Sequence, residues 1–240
     1  MVVCVLHGCG TGEYEKRLGV GIDQLQKKAA YSKLYAPSTL DGTEISVRVP
    51  TCFKASYNEE SQENKRRVVP SGLELPGLLL TYEAFIEDDT GGKLSYYLYF
   101  AVVESDKAGS LRFDPKGRKP SDPNLMNESG KLYQDISREF RSGTVGKWKD
   151  YNAKSADGQT VSWQKVEATS LQPFYAVSAR GRSSYDKIEG IFDLYAKQVG
   201  TDLVLIAWRI PKRIELDVQA PELSQLMLGS VKIDIGDQKK

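Results

Sequence analysis

Apolar and polar residues recur with two different periods along this chain, and the switches between them mark its elements. Tyr14, Leu18, Ile22, Leu25 and Ala29 follow one another at spacings of three and four, which predicts one face of a helix from about Glu13 to Ala29. Gly19 and Gly21 weaken it, because glycine has a low helix propensity. Ile45 to Val49 alternates with Ser46 and Arg48 and stops at Pro50, a strand that ends where proline offers no ladder donor. Leu78 to Glu87 and Lys93 to Val103 are β-rich runs on either side of Asp88-Asp89-Thr90-Gly91-Gly92, the pattern of an antiparallel hairpin with both aspartates in its turn.

Further along, Leu132, Tyr133, Ile136 and Phe140 predict a second amphipathic helix, closed by Gly143 as a C-terminal cap. Val161, Trp163 and Val166 suggest another strand, and Gly190 to Val199 with Thr201 to Ile210 form a second hairpin across Gly200. The LVLIAWRI run is apolar on both faces, so it is expected at the centre of the sheet with Trp208 as a core anchor. Pro221 opens a last helix whose apolar face is Leu223, Leu226, Met227 and Val231. Two polar stretches read as loops: Ala55 to Arg67, whose mixed charges cancel at a distance, and Ser105 to Asn124, rich in Gly, Pro, Lys and Arg and expected to be dispensable for folding.

This order implies an α+β fold, a mostly antiparallel sheet covered by helices in an α/β/α sandwich. Residues 37–235 are expected to form a single α+β domain, after a signal remnant and tether over 1–12 and an N-terminal helix over 13–36, and before a tail over 236–240.

Charge narrows the function. With 33 basic and 32 acidic residues the net charge is +1, so the field that draws a protein to nucleic acid is missing and no nucleic-acid partner is expected. No run approaches the roughly 18 apolar residues of a spanning helix; the longest strongly apolar stretch is Leu203 to Trp208. Three cysteines, Cys4, Cys9 and Cys52, are too few and too uneven for a disulfide scaffold.

The opening stretch VVCVLHGCGTG admits several readings. Cys4, His7 and Cys9 supply three candidate metal ligands, one short of a structural zinc site and with little to fix their geometry, so no metal is expected. Leu6-His7-Gly8-Cys9 resembles a bacterial lipobox, in which the thiol of the cysteine receives a diacylglycerol before cleavage. On that reading Cys9 is lipidated, Gly10 to Gly12 is a tether, the Glu13–Ala29 helix is a stalk, and the protein is anchored to a bacterial membrane in the periplasm or cell envelope. The pattern departs from the usual one at His7 and in lacking a basic region before the apolar run. An unprocessed terminus with a packed N-terminal helix is the alternative.

The phrases ISVRVPTCF, IFDLYAKQVGTDLVLIAWRIP and ELSQLMLGSVKI resemble the PsbP-like α/β/α sandwich, also used by a small Ran-binding nuclear import factor and by assorted bacterial lipoproteins. The resemblance implies a protein that binds partners or organises assemblies. It implies no active site that transfers residue by residue.

Catalysis finds little footing in the chain. His7 is the only histidine and lies within the segment open to cleavage, which removes Ser-His-Asp and Cys-His schemes from a mature domain. No phosphate-binding loop or dinucleotide fingerprint is present, and no cofactor is expected. Two features carry binding chemistry. Arg180 and Arg182 bracket Gly181 ahead of two serines and are suited to grip a phosphate or carboxylate, against the reading of a solvated surface loop. Tyr96, Tyr97, Tyr99 and Phe100 alternate along one strand, and Tyr97 and Tyr99 are the candidates for stacking on a sugar or a partner, against simple core packing. The expected function is a non-catalytic, lipid-anchored extracytoplasmic interaction module with a protein partner; the alternative is a binder of a small anion or glycan.

Overall fold

The computed structural model describes residues 11–40, 42–53, 55–57, 75, 77–87, 91–103, 131–141, 143–155, 158–199 and 202–233. The Cys4-His7-Cys9 stretch, the Asp88-Asp89 turn, the Ser105–Asn124 segment, residues 58–67 and the tail lie outside them.

In chain order the elements are α1 (Thr11–Tyr31), β1 (Ser38–Thr39), β2 (Ile45–Val47), β3 (Ala55–Tyr57), β4 (Leu78–Glu87), β5 (Lys93–Val103), α2 (Lys131–Glu139), β6 (Thr144–Val145), β7 (Lys149–Lys154), β8 (Thr160–Val177), β9 (Ser183–Val199), β10 (Asp202–Pro211), α3 (Glu215–Val218), α4 (Ala220–Gly229) and β11 (Lys232–Ile233). The main sheet runs β3-β4-β5-β10-β9-β8-β6, with β7 also paired to β8. A small second sheet, β1-β2-β11, joins the two ends of the domain. Among the described residues every pairing between neighbouring strands is antiparallel, as hairpin connections favour.

The expected central strand is central. β10 lies between β5 and β9, and its residues Leu203 to Trp208 are all buried because both faces of the sheet are covered. On one face Phe140, just past α2, meets Phe192 of β9 at 5.0 Å between ring centres. On the other, Phe53 packs 5.5 Å from Trp208. α4 lies along β7 with Met227 and Leu228 buried, and its Gly229 is so close that a Cβ there would stand 2.1 Å from the Lys154 carbonyl oxygen. The mostly antiparallel sheet with helices on both sides is the architecture that the patterns implied.

Three readings change. Ala55–Tyr57 is not loop but an edge strand on β4, since edge pairing needs backbone groups and makes no demand on apolar period. Gly143 does not cap α2 in a left-handed conformation, for it is not among the positive-φ glycines. It is required by proximity: a Cβ would lie 1.7 Å from the Thr169 carbonyl oxygen, where β6 meets β8. The stretch through Arg180 is not a general surface loop but the turn of a long hairpin, with β8 running on to Val177 and β9 starting at Ser183.

Candidate functional site

The hairpin of β8 and β9 outruns β10. β10 leaves β9 at Gly190, opposite Pro211, while β8 and β9 stay paired out to Val177 and Ser183. The result is an arm built from residues 171–177 and 183–189. Its turn is tight: the Ser178 amide donates to the Arg182 carbonyl, the Arg182 amide to Ser178 Oγ at 3.1 Å, and Gly181 takes φ of 75°, the left-handed region that glycine occupies at least cost. Arg180 and Arg182 are therefore carried at the tip, both exposed.

The arm is fastened close to its tip, where Gly91 of the β4–β5 connection also comes up to Ala179. Ala176 pairs with Leu94 at the start of β5, and the Tyr175 amide donates to Ser95 Oγ at 2.9 Å. The same hydroxyl of Ser95 donates to the Tyr97 hydroxyl at 2.7 Å. Phe174 stacks with Tyr97, ring centres 6.3 Å apart, and closes on Gly190, where a Cβ would stand 2.7 Å from its ring.

Beside those rings lies a charge that periodicity did not reveal. Arg209 is 2% exposed, with its guanidinium carbon 5.0 Å from the Phe174 ring centre and 5.6 Å from that of Tyr97, and it donates to the Pro173 carbonyl. In register across the sheet stand Glu83, Tyr97 and Arg209, on β4, β5 and β10. Glu83 is 5% exposed, so acid and base are buried on either side of one tyrosine. Burial lifts the Tyr97 hydroxyl above its usual range, with Ser95 acting against it and the Glu83 charge adding to it. Tyr99 moves the same way through burial, opposed by Arg209. Tyr97 and Tyr99 are 0% and 1% exposed and offer no ring face at the surface, so the structure does not bring them together with Arg180 and Arg182. The signal for Arg209 was in the sequence: a lone guanidinium inside a strand apolar on both faces needs stacked or hydrogen-bonded partners nearby.

A second set of charges lies across β8 and β9. Lys165 Nζ stands 3.0 Å from Asp193 Oδ2 and 2.7 Å from Glu167 Oε1, and 5.5 Å from the Tyr195 ring centre. Burial lifts the Asp193 carboxyl above the usual range against the pull of Lys165. For Lys165, burial acts downward, but Tyr195, Asp193 and Glu167 outweigh it and hold the ammonium above its ordinary value. Lys165 is therefore a fixed cation near neutral pH rather than a proton donor. Among the described residues no three of His, Cys, Asp and Glu gather into a metal-binding cluster.

Cys52 is half-buried, and burial raises its thiol, with the Tyr96 side chain bonding against that trend. It is therefore poorly disposed to act as a thiolate. Cys9 lies outside the described residues, but α1 starts at Thr11, and its Tyr14, Leu18, Ile22 and Leu25 are all exposed. Among the described residues no helix is long and apolar enough to cross a membrane.

No family model matches the chain, and no curated protein sequence matches it. Among solved structures it is similar to the solution structure of cyanobacterial PsbP from Synechocystis, at 11% identity and a TM-score of 0.39, over 82% of this chain and 91% of that one. It is also similar to the Ran-binding protein Mog1p of Saccharomyces cerevisiae, at 13% identity and a TM-score of 0.39, over 83% of this chain and 95% of that one. These are the two kinds of protein that the sequence phrases resembled, and at such identities no residue's role is carried across.

Proposed function

We propose that the chain is a non-catalytic interaction module, held outside the cytoplasm by lipid on Cys9, which meets a protein partner through the β8–β9 arm. The observation that carries this reading is the arm: its tip presents Arg180 and Arg182 to solvent, while the tyrosines and Arg209 are locked inside and the Lys165 group is already paired. Charge and hydrogen-bonding capacity are thus offered on an exposed hairpin turn, an arrangement suited to a macromolecular surface. α1 supports the stalk, since a 21-residue helix spans roughly 30 Å at 1.5 Å per residue.

Two experiments test it. Pull-down from membranes with the parent and with Arg180→Ala/Arg182→Ala should recover a partner that the variant loses, and recovery of equal partner by both would remove the arm from the function. Cys9→Ser should move the native protein from the membrane to the soluble fraction, and an unmodified Cys9 in the native protein, shown by mass spectrometry, would end the lipid reading. The small-ligand alternative keeps only Arg180 and Arg182 within reach of an anion. It predicts a thermal shift of about 2.7 kcal/mol in stability with an anion at a hundred times its dissociation constant, and no partner in the pull-down.

A further inference from the structure

The outer side of the arm is a sheet edge. From Gly190 onward β9 has β8 along one side and β10 along the other, whereas over residues 183–189 only β8 runs beside it among the described residues. Residues 183–187 are all exposed, and the β8–β9 register is unbroken over the arm, so no bulge turns this edge away. Its charges are Arg182, Asp186 and Lys187, followed by Glu189, whose carboxylate is already 2.7 Å from Lys212 Nζ.

An exposed edge invites a strand, and the spacing of these charges selects which one. Two copies of β9 related by a two-fold axis pair antiparallel, and residues opposite each other must then share a face, so the axis passes through a single residue. An axis at Asp186 sets Asp186 against its own copy, and one at Lys187 sets Lys187 against its own copy. Like charges directly opposite are unfavourable in a sheet. An axis at Tyr185 sets Asp186 opposite Ser184 and Lys187 opposite Ser183, with no charge pair, and one at Ser183 needs Arg180, well inside the turn, opposite Asp186. An axis at Ser184 sets Arg182 opposite Asp186 of the second copy, twice by symmetry, with Ser183 opposite Tyr185 and serine opposite serine at the centre.

We propose that the β9 edge is a self-association site, at which two copies of this chain join their arms about Ser184, with Arg182 of each paired to Asp186 of the other. The carboxylate that Arg182 grips is thus a protein side chain of a second copy. Ser184 Oγ already donates to Asp186 Oδ1 at 2.8 Å in each chain, which holds that carboxylate on the face where the incoming guanidinium arrives. The joined sheet runs β8-β9-β9-β8 across the two copies, and the two tips point in opposite directions. The site does not depend on the lipid anchor.

Sedimentation of the full chain over a range of concentrations tests this. The parent should associate as a dimer, less strongly as salt is raised. Asp186→Arg and Arg182→Asp should each weaken association by about tenfold or more, since each sets like charges opposite one another, a factor of ten being about 1.4 kcal/mol. The double variant Arg182→Asp/Asp186→Arg exchanges the two charges and should recover the parent's dimer. Both residues are exposed, so the unfolding midpoint of each variant serves as the control for folding. A parent that stays monomeric at every concentration overturns the proposal, as does a double variant as weak as the singles. So does a parent that dimerises equally well with Asp186→Arg.

Discussion

Arg209 and Phe174 come from strands that are not neighbours, yet the guanidinium carbon of one lies 5.0 Å from the ring centre of the other. The contact exists because the far end of β8 folds back to the start of β5, which brings Phe174 over the sheet face that carries Arg209 and Tyr97. A cation two strands away is thereby made part of the fastening of the arm.

Arg209→Met should destabilise the protein by about 3 to 5 kcal/mol, because it strips the buried Glu83 region of its countercharge and leaves the Pro173 carbonyl without this donor. Arg209→Lys should recover little of that loss, since an ammonium has neither the planar face that Arg209 offers the two rings nor its fork of donors toward the Pro173 carbonyl. Urea denaturation of the three proteins checks both statements, and a Lys variant as stable as the parent would show that charge alone is sufficient.

Trp208→Ala removes an indole that is fully buried against Phe53 in the central strand. A loss of about 3 to 5 kcal/mol is expected in equilibrium unfolding, with poor expression.

Gly229→Ala should cost about 1 to 3 kcal/mol although it adds one methyl, since that methyl would stand 2.1 Å from the Lys154 carbonyl oxygen and must push α4 off β7. Gly19→Ala, by contrast, meets nothing within 4 Å and should stabilise α1 by about 1 kcal/mol through helix propensity. Thermal unfolding, with circular dichroism for the helix, distinguishes the two.

Lys165→Met carries a pH signature. The raised Asp193 carboxyl favours the fold when protonated, so its contribution is complete below the ordinary carboxylate range and is lost as pH rises through the raised value. Lys165 limits that loss. The Glu167 carboxyl is lowered, chiefly by its hydrogen bond to Lys165, so its contribution is present above the ordinary range and lost as pH falls. Without the ammonium both effects turn against the fold at higher pH. The variant should therefore be destabilised by about 2 kcal/mol at pH 8, below the 3 to 5 kcal/mol of fully buried pairs, and by much less at pH 4. Equal losses at the two values would show that Lys165 acts through packing alone.

Elements whose signal is local are legible in the chain. The β4–β5 hairpin, the amphipathic face of α2, the Pro221 start of α4 and the central place of LVLIAWRI all follow from side-chain period and turn residues, because each is set by which face a residue must bury. Arg180 and Arg182 were legible as exposed cations for the same reason. Features that depend on partners distant in the chain emerge only on folding. Tyr97 and Tyr99 are enclosed rather than exposed, since the alternation of a strand tells which face a ring takes and not what covers that face. Gly143 is glycine because Thr169 approaches it from a strand some twenty-five residues on, not because a helix ends there. The arm itself arises from a difference in strand length: β10 stops at Pro211 while β9 and β8 continue, and a strand's pairing ends where its neighbour leaves, which no period within the strand records.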